Sequence, residues 1–130
     1  DFCLSRGLGD VYKRQVQVKA SRYPSWQFGD IAKYCNISFK GERQIVGHPV
    51  QCPVRGLVVI FVMIGATGND QYFILTWLAM RDLLIRAHKA YLARHHGKRA
   101  LKWDSLHAAL KKKVLEPFRD RWDVIEKNLK

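Results

Sequence analysis

Apolar and polar residues alternate over Val16-Gln17-Val18-Lys19, the period of a strand with one covered face. Trp26 and Phe28 alternate briefly, and Ile31 to Ile37 fits either a short strand or one turn of helix. Gly41 to Val54 holds two clusters of glycine or proline and predicts a long loop or a loose hairpin. Leu57 to Ile64 is apolar throughout and rich in β-branched residues, as a central strand covered on both faces requires. After a turn over Gly65 to Asp70, Tyr72 to Leu75 predicts a second strand pairing back on the first.

The period changes at Thr76. Trp77, Met80, Leu84, Ala87 and Tyr91 recur at helical spacing, with Leu83 widening the stripe, Thr76 placed to cap the helix and Gly97 to stop it. Lys98 to Trp103 predicts a basic linker. Asp104 or Ser105 can cap a second helix through Leu106, Ala109 and Leu110. Glu116-Pro117 suits a helix start, and Phe118, Trp122, Ile125 and Leu129 then line one face of a terminal helix. Strands over 16–75 followed by helices over 76–130 give a single α+β domain, a small mixed sheet with flanking helices.

Charge narrows the partners. The 130 residues carry 23 Lys and Arg against 11 Asp and Glu, a formal charge of +12, which favours polyanions. The longest apolar run spans Leu57 to Ile64, far below the ~20 residues a membrane-crossing helix needs. Three cysteines without a CxxC pair make neither a disulfide framework nor a metal knuckle, and no signal peptide is recognisable, so the expected compartment is the bacterial cytoplasm.

The first fifteen residues look foreign to this pattern. Asp10-Val11-Tyr12-Lys13-Arg14-Gln15 resembles translated sequencing-adaptor sequence, and Cys3 to Gly9 resembles more of it in the same frame. On that reading residues 1–15 are a scar expected to pack poorly. The natural sequence begins near Val16, and the domain has lost its N-terminal part. Without residues 1–15 the count is still 20 basic against 9 acidic.

Gln17 and Lys19, two apart on one strand, share a face, with Val16 and Val18 expected toward the core. An amide oxygen beside an ammonium suits metal-assisted phosphodiester hydrolysis: the oxygen helps hold a divalent cation and the lysine orients water or stabilises phosphate charge. A plain solvated strand face has the same pattern. This Gln-x-Lys strand, followed by Ala20-Ser21, the aromatic pair Trp26 and Phe28, a hydrophobic strand and an amphipathic helix, resembles the Gln-x-Lys (Mrr-like) branch of the PD-(D/E)xK nuclease superfamily over Val16 to Leu84. The resemblance implies a restriction-endonuclease-like core, with Gln17 at the metal site, Lys19 as catalytic lysine and Mg²⁺ as cofactor. The aspartate of the first half-motif has no counterpart. Asp10 precedes Gln17 but belongs to the adaptor-like stretch. The chain is therefore expected to be an inactive fragment of a DNA-binding endonuclease, the alternative being a non-catalytic nucleic-acid-binding or protein-interaction module.

Other candidates follow from the charge. Arg81 to Lys113 holds ten basic residues against Asp82 and Asp104, and Lys98, Arg99, Lys102, Lys111, Lys112 and Lys113 are the expected phosphate contacts, on DNA sooner than RNA. The same residues also fit the solvated face of two helices. His95-His96 lacks a neighbouring cysteine or acid and makes a poor metal site. Cys35 and Cys52 read as small buried hydrophobes. Trp77, Phe118, Trp122 and Tyr91 read as core, and Trp26 as the aromatic that a binding surface would use.

Overall fold

Strand-forming runs near residues 16 and 58 meet in a four-stranded mixed sheet. The computed structural model describes the backbone of residues 2–6 and 14–128 and the side chains of residues 15–127. Phe2–Arg6 (β1) pairs antiparallel with Arg14–Ser21 (β2), β2 runs parallel to Val58–Met63 (β6), and β6 turns back into Gln71–Thr76 (β7). The sheet order is β1-β2-β6-β7. Parallel pairing of β2 and β6 requires a long connection, which carries Ser25–Phe28 (β3), a 3₁₀ turn at Ile31–Lys33, and the hairpin Cys35–Lys40 (β4) and Arg43–Pro49 (β5). Gly41, at φ 63°, supplies the left-handed position at the tip of that hairpin. Ile31 to Ile37 thus holds both elements the pattern allowed, a helical turn and then a strand.

Thr76 caps the long helix Trp77–Arg94 (α1), its Oγ1 accepting from the Ala79 amide at 3.1 Å. At the other end Gly97, at φ 87°, donates its amide to the Leu92 carbonyl at 2.7 Å and closes the helix. The remaining elements are Ala108–Lys111 (β8), which pairs with β3, the short helices Lys112–Leu115 (α2) and Asp123–Asn128 (α3), and a 3₁₀ turn at Glu116–Phe118. The fold is α+β.

Two compact units interleave in the chain. Residues up to Trp26, Cys52–Met80 and Lys111 onward form the first, and Gln27–Gln51 with Arg81–Leu110 form the second. In the first unit Val59, Phe61, Phe73, Ile74 and Leu75 are sealed from solvent. Arg119 bridges to Phe73 and the Asp120 amide donates to the Tyr72 carbonyl, so the outer edge of β7 is occupied. In the second unit Ile31, Tyr34, Cys35, Leu84, Ile85, Leu92 and Leu110 make the core.

Three expectations need correction. The helix expected through Leu106 to Leu110 is instead strand β8, because Ala108 and Leu110 are buried alternately against a partner strand. The terminal helix is broken: Pro117 sits in a 3₁₀ turn and Asp120 takes φ 53°, so helix resumes only at Asp123. The buried stripe of α1 runs through Trp77, Met80, Leu84, Ile85, His88 and Leu92 rather than Ala87 and Tyr91, since His88 finds a partner that lets a polar ring take an inward position. Phe2–Arg6, within the stretch expected to pack poorly, forms backbone strand β1 on β2, and the packing of its side chains lies outside the described residues. Strand pairing is a backbone property that many side-chain sequences satisfy at an open edge. Asp10 lies outside the described residues.

Candidate nucleic-acid interface

Gln17 and Lys19 lie on β2 beside the central hydrophobic strand, in register with Val59 and Phe61 respectively. Lys19 is 6% exposed, whereas Gln17, Val16 and Val18 are all half-buried. The expected outward, solvated position of Lys19 is therefore corrected. The cause is Trp26, whose ring packs edge-on against Phe61 at 5.3 Å and Phe73 at 6.0 Å while its Nε1–H donates to the Lys19 carbonyl at 3.1 Å. Trp26 is 3% exposed, so it is a roof over the lysine's face and not the surface aromatic expected from its neighbours Pro24 and Ser25.

Gln17 Oε1 is buried with no hydrogen-bond partner among the described residues, an acceptor of the kind a cation could use. The Mg²⁺ that the Gln-x-Lys resemblance implies nevertheless does not fit what surrounds it. A hard dication needs several oxygen donors, carboxylates foremost. Among the described residues no three His, Cys, Asp or Glu side chains converge. At Gln17 itself the oxygen on offer is that of one neutral amide.

The basic residues divide between the units. In the second, α1 exposes Arg86, Lys89 and Arg94, and the following loop exposes Lys98 and Lys102. Asp82, the acid nearest Arg86 along α1, is held by Arg81 at 2.9 Å. Lys98 reaches Glu42 at 3.5 Å, with both side chains more than half exposed. Among the described residues no carboxylate lies within ion-pair distance of Arg86, Lys89, Arg94 or Lys102. In the first unit Lys111 and Lys113 are exposed, whereas Lys112 pairs with Glu116 at 3.4 Å. Arg99 differs from the expectation. Its Nη1 donates to the His107 carbonyl at 2.9 Å and its guanidinium lies over Tyr91 at 5.0 Å, so it is engaged within the fold.

No family model matches the chain, and no curated protein or solved structure is similar to it.

The second unit also holds a polar network that sequence reading missed. His88, 3% exposed, meets the Oε1 of Gln44, itself 4% exposed. Gln44 Nε2 donates to the Ser105 carbonyl at 3.1 Å, which leaves Oε1 as acceptor and puts the proton on His88 Nε2. Burial first, then the positive charge of Arg99 and His107, lowers the His88 pKa to about 4, so the ring is neutral near pH 7. The Gln44 amide also donates to the Gly97 carbonyl at 2.8 Å, tying β5 to the loop that carries Lys98 and Lys102. This network is structural support for the cationic loop. The adjacent pair His95-His96 serves differently: His95 packs on Tyr91 at 4.5 Å and His96 takes the left-handed φ of 58° before Gly97.

One aromatic read as core, Trp122, stands at the surface. Trp122 is 44% exposed and leans on Tyr72 at 5.5 Å, and Phe39 and Trp103 are exposed together. Cys35 is fully buried, and burial pushes its thiol pKa up. Among the described residues no helix is long and apolar enough to cross a membrane.

Proposed function

We propose that this chain binds nucleic acid, DNA foremost, through its phosphate backbone, as a basic module without a catalytic step assigned to it. The observation that supports the reading is the set of exposed cations Arg86, Lys89, Arg94, Lys98 and Lys102 in one unit, of which only Lys98 has a carboxylate partner among the described residues. Unpaired cations on a helix and its adjoining loop are what a polyanion neutralises, releasing its counterions. The compartment this reading calls for is the cytoplasm, where DNA is met. The resemblance to the PD-(D/E)xK superfamily agrees with the DNA half of the proposal, and the donor set at Gln17 gives no footing to the metal-dependent half.

Replacing Arg86, Lys89, Arg94, Lys98 and Lys102 together with glutamine tests the reading. Affinity for a labelled duplex should fall by about tenfold or more, equally for unrelated sequences, because phosphate contacts carry no base information. Circular dichroism should be unchanged, since all five side chains are exposed. Undiminished binding by the folded variant would move the contact elsewhere.

A further inference from the structure

Phe39 and Trp103 form a partly exposed aromatic pair. Each is about two-fifths exposed, at 40% and 42%, and the rings meet edge-to-face at 5.7 Å. Phe39 stands next to the tip of the β4–β5 hairpin and Trp103 at the end of the basic loop, both within the second unit. Cations flank both. Lys40 and Arg43 face each other across the hairpin tip, Lys102 precedes Trp103, and Lys98 reaches Glu42 in the hairpin turn. The local acids are Glu42, already engaged by Lys98, and the exposed Asp104, so the patch remains positive.

A large exposed aromatic costs solvation that a purely structural role does not require, and buried aromatics of this protein show the alternative. In duplex DNA the base faces are stacked on one another and closed to such a ring. In a single strand they are open. Aromatic faces beside a cationic track match that chemistry, because every unpaired base has a π-face and every linkage a phosphate. We infer that Trp103, supported edge-on by Phe39 and flanked by Lys40, Arg43 and Lys102, is a stacking platform for unpaired bases of single-stranded nucleic acid. The inference rests on the proposed nucleic-acid reading and adds the strandedness of the ligand.

The test compares a fluorescein-labelled oligo(dT) of about twenty nucleotides, long enough to span several stacking and phosphate contacts, with a duplex of equal length. The intact chain should bind both. Trp103→Ala should weaken oligo(dT) about tenfold, as loss of one base–aromatic stack does, while duplex affinity changes little. Trp103→Phe should restore most of the loss, since an aromatic face is what the base requires. Phe39→Ala should give a smaller loss of the same kind. Equal weakening of both ligands by Trp103→Ala, or no weakening of oligo(dT), would overturn the platform and leave backbone binding standing. Absence of binding to either probe by the intact chain would overturn both.

Discussion

Replacing Trp26 with alanine should destabilise the first unit by about 3–5 kcal/mol, the range for deleting a buried large aromatic. A small domain holds only about 5–15 kcal/mol in all, so the variant should lose its cooperative transition near ambient temperature or show it at much lower denaturant. Two separate contributions act through this side chain. Its ring fills the space over Phe61 and Phe73, and its indole N–H satisfies the Lys19 carbonyl in a buried setting. Trp26→Phe keeps a buried aromatic ring but removes the N–H donor and the indole's second ring, at an expected cost of about 1–3 kcal/mol, below that of alanine. Urea unfolding followed by circular dichroism reads both. An alanine variant that unfolds like the parent chain would show that Trp26 is not the roof of this sheet.

Stability should also fall in acid through His88. The ring is 3% exposed, and its folded-state pKa of about 4 lies below the ~6.5 of an unfolded chain. The unfolded state therefore binds a proton first as pH drops. This contribution is complete above about pH 6.5, is lost between 6.5 and 4, and is flat below, amounting to about 3 kcal/mol in total. His88→Gln keeps a neutral donor toward Gln44 and removes the titration, so its stability should decline less over that window. The difference between the two curves isolates His88 from every other group that takes up protons in acid. Parallel curves for parent and variant would contradict the buried neutral ring.

Much of the fold was legible as periodicity. Leu57 to Ile64 and Tyr72 to Leu75 are continuous apolar runs and form β6 and β7, and Thr76 and Gly97 bracket α1 by capping chemistry that is local in the chain. What failed was decided by distant partners. Leu106, Ala109 and Leu110 fall at helical spacing while Ala108 and Leu110 fall at strand spacing, and only β3 as a neighbour selects the strand. Val18 and Lys19 alternate, but alternation does not say which face is roofed, and Trp26 covers the lysine's. Nothing local marks His88 as buried, and it is Gln44, far off in sequence, that satisfies it. Of the candidate interface, the cations were visible as composition. Their sorting was not: Arg99 turns inward to His107 and Tyr91, while Arg86, Lys89 and Arg94 remain open. Trp103, read only as the end of a basic linker, stands exposed against Phe39 because the β4–β5 hairpin brings the two together.

The salt dependence of duplex binding tests the central claim most directly. Each phosphate neutralised contributes about 0.9 to the slope of log K against log salt, so four or five contacts predict a slope of about −4 for the intact chain. With Arg86, Lys89, Arg94, Lys98 and Lys102 replaced by glutamine, the slope should flatten toward zero. A slope near zero for the intact chain, or one that the five substitutions leave unchanged, would contradict the assignment of these cations to a nucleic-acid backbone.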